Sequence, residues 1–198
     1  YGIPDGRRVI LYAPTFRGTS MTRARHPEDL DLGLMARTLG TDHVMLLRLH
    51  PAVRAQQRID PGIGGFVIDV SDYPEINELM LVSDVLVTDY SSVIFEFALL
   101  GRPMAFFAPD TDDYHDERGF YFDYRSGVPG PVFETTEALA GWLRAGEVDL
   151  DRVRAFAKTW FEVADGHASE RFVDRVVLPA LAPGSTGVRA PLPNARSR

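Results

Sequence analysis

The sequence predicts an α/β fold, a doubly wound parallel sheet with helices on both faces, from two features of its pattern. Short apolar segments rich in β-branched and aromatic residues alternate along the chain with longer segments of helical character. This alternation is typical of repeated strand–helix–strand units. The strand-like segments are apolar at successive positions instead of alternating apolar with polar. Such continuity is expected of parallel strands that are covered on both faces.

Each element of this prediction follows from local signals. The predicted strands cover residues 8–13, 43–49, 66–70, 85–87, 103–107 and 132–133. The predicted helices cover residues 27–39, 51–57, about 72–82, 93–100, 134–145, 151–164 and 169–181. Pro51 suits the first turn of a helix. Gly40 and Gly101 suit helix ends, and Ser71 or Asp72 can cap the third helix.

Length and composition limit the classes of protein to which the chain can belong. Its 198 residues suffice for one large domain, here residues 1–181, followed by a Pro-, Gly- and Arg-rich tail at 182–198 that we expect to be disordered. The net charge of −7 argues against a nucleic-acid-binding protein. The lack of cysteine excludes disulfides and thiol nucleophiles. Because the chain starts at Tyr1 without an initiator methionine, we expect it to be a piece of a longer protein.

The most informative segment is SDVLVTDYSSVIFEFALLG at residues 83–101, which combines a buried strand, a polar turn and the start of an apolar helix. Free backbone N–H groups at such a helix start can hold an anion, and the hydroxyls of Ser91 and Ser92 can add donors. Asp89 lies in the same turn, and Glu96 follows in the helix, where it could accept hydrogen bonds from ribose hydroxyls. The alternatives are that Ser91 and Ser92 are ordinary helix caps and that Glu96 pairs with a buried arginine.

Further polar clusters follow other predicted strands, at residues 14–17, 48–51 and 69–73, and one with Arg118 lies in the loop after the fifth strand. Strand ends in a doubly wound sheet share one edge, so these clusters are predicted to converge on one crevice. Arginine can bind phosphate oxygens through paired N–H groups, and histidine can donate a hydrogen bond or act as acid or base. The residues of these types are Arg17, Arg48, His50 and Arg118. Each alone could be a solvated surface residue, but their convergence favours a phosphorylated ligand.

The segment at residues 108–131 is too long and too polar for a simple connector, and its aromatic content argues against disorder. It contains Asp110, Asp112, Asp113 and Asp116, which could be read as metal ligands. The spacing lacks the glycine and the terminal glutamate of a calcium loop. We therefore predict no metal site, and we assign these acids to solvation of the loop.

These clusters resemble the CDP-glycerol glycerophosphotransferase family, the teichoic-acid primases and polymerases of bacterial walls. The matching segments are LYAPTFRG at 11–18, LLRLHP at 46–51, SDYPEINELMLVSDVLVTDYSSVIFEFALLGRP at 71–103, RGFYFDY at 118–124, PGP at 129–131 and DGHASER at 165–171. The DYSS and RGFYFDY elements are specific in this order and spacing. The resemblance spans residues 1–181.

The resemblance implies a GT-B-like enzyme with its active site between two Rossmann-like domains, of which this chain is the carboxyl-terminal, donor-nucleotide-binding one. The family transfers glycerol phosphate, or in relatives ribitol phosphate, from CDP-glycerol or CDP-ribitol to a hydroxyl of a growing polymer. By this resemblance His50 contacts the donor's phosphates, Arg118 stabilises them, and Ser91 and Ser92 hold the pyrophosphate. The residues implied to frame the cytidine and ribose are residues 14–17, with Thr15 and Arg17, together with Asp72, Tyr73 and Glu96.

The family's general base is expected in an amino-terminal acceptor domain, in an HG-type motif that this sequence lacks. We therefore expect this chain alone to bind nucleotide with little or no transfer. The resemblance implies no cofactor, a lipid-linked polyol-phosphate acceptor, and peripheral attachment to the cytoplasmic face of the cell membrane through the rest of the protein. A homo-oligomeric state is left open. The alternatives are a GT-B glycosyltransferase that uses a UDP-sugar, a non-catalytic nucleotide-binding module, and chemistry that depends on a metal in the acidic loop.

Overall fold

The architecture is a six-stranded parallel sheet covered on both faces, described here from a computed structural model. The structure describes residues 2–18, 27, 29–53, 59–111, 114 and 123–181. The strands are β1 (Arg8–Tyr12), β2 (His43–Leu47), β3 (Val67–Asp69), β4 (Val85–Thr88), β5 (Met104–Phe107) and β6 (Val132–Phe133). Their order in the sheet is β3-β2-β1-β4-β5-β6. This is the Rossmann order, in which the direction of progression reverses between β1 and β4.

The chain divides into two compact units, Tyr1–Trp160 and Phe161–Arg198. The helices of the first unit are α1 (Leu32–Leu39), α2 (Ile76–Val82), α3 (Val93–Ala98), α4 (Tyr124–Gly127), α5 (Thr136–Ala145) and α6 (Leu150–Trp160), with a 3₁₀ turn at Pro61–Ile63. The second unit contains α7 (Ala168–Phe172), a π-helical segment at Val173–Val177 and α8 (Leu178–Leu181). In the described part of the chain, no helix combines the length and the apolar character needed to cross a membrane.

The core consists of two apolar layers, one on each face of the sheet. Successive residues of a strand enter opposite layers: Val9 and Leu11 of β1 pack in one, and Ile10 and Tyr12 pack in the other. Helices α2, α3 and α6 add residues to the first layer, and α1 and α5 add residues to the second. Every β1 and β2 position except Arg8 is buried, and apart from His43 each of these buried residues is apolar. The predicted doubly wound sheet is therefore confirmed.

The sequence predicted the boundaries of the helices less accurately than those of the strands. The helix predicted at 27–39 begins only at Leu32, because the Asp31 side chain accepts a hydrogen bond from Leu34 N (2.8 Å) and caps the helix there. The helix predicted at 134–145 begins at Thr136, where Thr135 is the cap. The helix predicted at 151–164 ends at Trp160, and the one at 169–181 contains a π-helical segment. Of the helix predicted at 51–57, residues 51–53 form a turn and the rest lies outside the described residues, as does the tail at 182–198.

We expect Gly130→Ala to lower the free energy of unfolding by about 3 kcal/mol, which denaturant unfolding would measure. A Cβ at Gly130 would lie 2.0 Å from the backbone oxygen of Met104 in β5, where no flexible side chain can yield. Gly141 in α5 is the matched control, because a Cβ there meets no atom within 4 Å. Gly141→Ala should stabilise the protein by about 0.5–1 kcal/mol. Equal stability of the two variants would contradict this account of the close approach.

Candidate functional site

The candidate site lies at the carboxyl edge of the sheet, where β1 and β4 run side by side. These two strands are parallel neighbours, with Tyr12 opposite Val87. The pairing extends into the loops, since Ala13 N donates to Val87 O (3.0 Å) and Thr88 Oγ1 donates to Ala13 O (2.7 Å). This is the position at which the strand order reverses, and ligands bind to open α/β sheets in the crevice formed there.

Asp89 is the buried centre of this edge, with only 2% of its surface exposed. Its Oδ1 accepts hydrogen bonds from Thr15 N (2.8 Å), Thr15 Oγ1 (2.9 Å) and Tyr90 N (2.7 Å). Its Oδ2 accepts one from Arg17 Nη1 at 2.8 Å. Asp89 therefore fixes the loop after β1 to the loop after β4. The sequence prediction placed Thr15 and Asp89 at the site, and the structure brings them into direct contact.

Arg17 is surrounded by carboxylates and aromatic rings. Besides Asp89, it binds Asp110 through both Nε and Nη2, the latter at 3.1 Å from Oδ1. Its guanidinium lies over the ring of Tyr90, 5.1 Å from the centroid, and 5.7 Å from that of Tyr114. Burial on its own would lower the pKa of Arg17, but the two carboxylates outweigh burial and raise this pKa above its ordinary value. Most of the N–H groups of Arg17 thus bind protein atoms. This geometry disfavours the predicted direct contact between Arg17 and phosphate, which stays a prediction.

Tyrosines complete the cluster around Asp89 and Arg17. The Tyr124 hydroxyl donates to Asp89 O (2.8 Å), and the Tyr90 hydroxyl donates to Asp110 Oδ1 (2.9 Å). Tyr90 and Tyr114 stack with their centroids 3.8 Å apart. Burial raises the pKa of both Tyr90 and Tyr124, which keeps the two hydroxyls protonated as donors.

The interpretation of Asp110 as a solvating acid was therefore wrong. Burial alone would raise the pKa of Asp110, but the Arg17 guanidinium holds it below its ordinary value, and the carboxylate is a structural partner. Sequence reasoning also missed Tyr90, Tyr114 and Tyr124 as site residues. For Tyr114 and Tyr124 the available signal was the density of aromatic residues in the loop after β5, which argued for order but identified no partner. Tyr90 lies in the turn after β4, beside Asp89.

Arg48 connects the chain segments that follow β2 and β3, at the carboxyl edge of the sheet. Its Nη1 donates to the backbone oxygens of Ser71 and, at 3.3 Å, of Leu49. Ser71 Oγ in turn accepts from Leu49 N at 3.0 Å. Among the described residues, the buried Nε of Arg48 has no hydrogen-bond partner. The loop that carries Asp72 and Tyr73 is therefore tied to the end of β2, and the predicted phosphate contact of Arg48 stays a prediction.

His50 follows β2 and is held on two sides. Its Nδ1 accepts a hydrogen bond from Ala52 N at 3.2 Å, and its ring lies 4.8 Å from that of Phe16, centroid to centroid. Burial, and then the charge of Arg48, lower the pKa of His50.

The other two residues predicted for this part of the site follow β3. Asp72 is exposed and Tyr73 is half-buried, with the Tyr73 hydroxyl bonded to Glu78.

Ser91 and Ser92 stand at the start of α3, where the sequence placed them. Ser92 is the N-cap residue but makes no side-chain cap bond, and Ser91 Oγ accepts only a long bond of 3.4 Å from Val93 N. Both hydroxyls are thus poorly used as caps and can serve a ligand. Glu96 is exposed and forms no ion pair with any arginine among the described residues, so its pairing with a buried arginine is not observed.

The remaining predicted residues lie outside the described residues or in the second unit. Arg118 lies outside the described residues, together with Asp112, Asp113 and Asp116 of the acidic loop. In the part that the structure describes, no cluster of three or more acidic or histidine side chains could hold a metal ion. The DGHASER segment belongs to the second unit, where Arg171 pairs with Asp165 (2.7 Å) and the His167 ring with Glu170 (2.9 Å).

We expect Arg17→Met to lower the free energy of unfolding by about 3 kcal/mol near pH 7, because it leaves Asp89 buried without its counter-ion. Burial raises the pKa of Asp89 in the folded protein, and the charge of Arg17 opposes this rise. Without Arg17 the pKa should lie further above that in the unfolded chain, so the folded variant binds a proton more readily as the pH falls. Stability of the variant should therefore rise as the pH falls from about 7 toward about 5, and the gap to the wild type should narrow. Urea unfolding across this range measures both effects.

Arg37→Met is the matched control, because the Arg37 side chain is 72% exposed and lies 4.0 Å from Asp31. Its loss should change stability by no more than about 0.5 kcal/mol. A loss for Arg17→Met as small as that of the control, with no dependence on pH, would show that the buried pair does not hold the edge together.

Comparison with known proteins places this geometry in a family. The family model for CDP-glycerol:poly(glycerophosphate) glycerophosphotransferases matches residues 1–178. A teichoic acid poly(ribitol-phosphate) polymerase from Bacillus spizizenii (strain ATCC 23059 / NRRL B-14472 / W23) is 43% identical over 180 residues, which is 90% of this chain and 29% of the relative.

Solved structures agree with the sequence comparison. The wall teichoic acid polymerase TagF is 36% identical with a TM-score of 0.74, over 89% of this chain and 44% of that one. A variant of TagF soaked with CDPG matches equally well, with a TM-score of 0.74. The glycotransferase of kitacinnamycin, 13% identical with a TM-score of 0.51 over 80% of this chain and 40% of that one, shares the fold. This chain spans less than half the length of each of these relatives. On the extent of these matches, the chain belongs to the CDP-glycerol:poly(glycerophosphate) glycerophosphotransferase family.

Proposed function

We propose that this chain is the donor-binding part of an enzyme that transfers glycerol phosphate or ribitol phosphate from a CDP-alditol to a hydroxyl of a growing wall polymer. The observation that supports this most is the set of polar side chains at the reversal point of the sheet, anchored by buried Asp89. Family membership and the likeness to a teichoic acid polymerase soaked with CDPG support the nucleotide.

In this reaction the protein contributes mainly by positioning the reactants and stabilising charge, and not by forming covalent intermediates. An acceptor hydroxyl oxygen attacks the phosphorus that bears the alditol, a new P–O bond forms, and the bond to the CMP oxygen breaks. CMP leaves with the negative charge, and a general base takes the acceptor proton. That base is proposed to lie in the part of the enzyme outside this chain.

The residues of this chain would bind the donor and stabilise the leaving phosphate. The His50 ring can donate a hydrogen bond, and the hydroxyls of Ser91 and Ser92, which form at most a long cap bond, can donate two more. Arg118 is proposed to supply positive charge at the same phosphates. The cytidine and ribose are proposed to contact four further residues on the loops and helix at this edge, namely Asp72, Tyr73, Glu96 and Thr15.

The remaining partners are proposals of the same kind. The acceptor is proposed to be a lipid-linked polyol phosphate, and the whole protein is proposed to work at the cytoplasmic face of the cell membrane by peripheral attachment. The proposed chemistry names no cofactor and no metal ion, and it relies on hydrogen-bond donors and arginine to stabilise the charge of the leaving group.

Calorimetric titration of the 198-residue chain with CDP-glycerol, CDP-ribitol and UDP tests the proposal. We expect both cytidine ligands to bind and UDP to bind at least about tenfold more weakly, since cytosine and uracil present opposite hydrogen-bonding edges. Preference for UDP would indicate a sugar transferase. Turnover of CDP-glycerol by the intact enzyme is the second measurement, and binding without turnover would indicate a non-catalytic module.

Ser92→Ala should weaken CDP-glycerol binding by about tenfold, because a neutral donor to a charged phosphate is lost. The stability of the fold should barely change, since Ser92 makes no side-chain cap bond. Ser169→Ala is the matched control, an exposed serine in the first turn of another helix. Equal affinities of the two variants, measured by the same titration, would remove Ser92 from the proposed site.

A further inference from the structure

Phe16 contacts His50 as a direct result of the strand topology. Strands β1 and β2 are parallel neighbours with Tyr12 opposite Leu47, and Arg48 N donates to Tyr12 O at 2.9 Å just beyond the strands. The two loops therefore leave the sheet side by side. Phe16 packs partly against the core layer of α1 and α5 and presents its ring to His50, with centroids 4.8 Å apart and planes inclined by 51°.

The bond from the Ala52 backbone sets the tautomer of His50 while the ring keeps this orientation. The donor of the bond from Ala52 is a backbone N–H, so Nδ1 of the imidazole must be the acceptor and carries no hydrogen. The neutral ring then has its hydrogen on Nε2. Among the described residues, no group bonds Nε2, and this N–H is available to a ligand. A doubly protonated ring would lose the bond from Ala52.

The charges around His50 also favour the neutral ring. Arg48, two residues earlier in the segment after β2, disfavours a second positive charge, and it acts in the same direction as burial. Arg17, on the loop that carries Phe16, is paired with Asp89 and Asp110. The nearby carboxylates of β3 and the loop after it are Asp69, the last residue of the strand, which accepts from Ser71 N, and Asp72, which is exposed.

We propose that Phe16 is a positioning residue that acts through His50, holding the imidazole neutral with its Nε2–H available to donate to a phosphate oxygen of the donor. Only the identity of that ligand rests on the proposed function. His50 transfers no proton in this role, so it is neither the acid nor the base of the reaction. A neutral donor can bind the ground-state diphosphate and strengthen its hydrogen bond as negative charge builds on the leaving group.

The state of the ring is tested without any ligand, by NMR of the imidazole nitrogens of the 198-residue chain, with His50→Gln used for assignment. We expect the Nε2–H tautomer and a pKa below the ordinary value of about 6.5. Phe16→Leu should raise that pKa and mix the tautomers, and Phe16→Tyr, which keeps the ring, should not. Phe133→Leu is the control, because Phe133 borders the same core layer on β6. An unchanged His50 signal in Phe16→Leu would overturn the proposal.

The consequence for binding is tested with CDP-glycerol, whose diphosphate diester does not titrate in the relevant range. We expect Phe16→Leu to weaken binding about fivefold near pH 8, with a smaller loss near pH 6, where a protonated ring would attract phosphate. In the His50→Gln background Phe16→Leu should cost nothing more. A full additional loss in that background would assign Phe16 a purely structural role. Failure of CDP-glycerol to bind the wild type would contradict the proposed function, and the NMR result would still decide the role of Phe16.

Discussion

The arrangement of the site depends on one buried ion pair, between Asp89 and Arg17. An isolated carboxylate with 2% of its surface exposed would be strongly destabilising, so Asp89 is tolerable only with a full set of donors. Those donors are the guanidinium of Arg17, the backbone and hydroxyl of Thr15, and the backbone of Tyr90. Because the donors come from the loops after β1 and β4, satisfying one charge also fixes the relative position of the two loops that bound the crevice.

The same pair changes how the site can attract an anion. An arginine in a loop at the carboxyl edge looks like a phosphate ligand, yet Arg17 is neutralised by Asp89 and Asp110, and Arg48 binds the backbone of Ser71. Within the described residues, the donors left for a ligand at this edge are mainly neutral hydroxyls and an imidazole. Neutral, fixed donors stabilise charge effectively where water is excluded, because they need no reorganisation as the charge develops. We propose that positive charge at the phosphates comes chiefly from Arg118.

The sequence predicted the sheet well because burial on both faces leaves a strong local signal. Residues 9–12 and 44–47 are all buried, and their apolar character is visible without knowledge of their partners. Helix starts were less predictable, since the start of α1 is set by one capping hydrogen bond, which Leu34 N donates to the Asp31 side chain. The partners of Arg17 were not predictable, because Asp89 and Asp110 lie 72 and 93 residues away along the chain. Sequence identifies which groups reach the edge, but only the fold shows which of them neutralise one another.

Aromatic packing extends this preorganisation to the helix that begins with the serines. Phe95 of α3 lies 5.4 Å from Phe156 and 5.2 Å from Trp160, both on α6, measured between ring centroids. Since α3 spans only Val93–Ala98, its own hydrogen bonds could not hold it in place, and the contact with α6 supplies the missing constraint. Ser91 and Ser92 are therefore held between two fixed points, the Asp89 cluster before them and the aromatic contact after them. A site that positions a diphosphate needs such support, because small displacements of its donors weaken the stabilisation of the transition state.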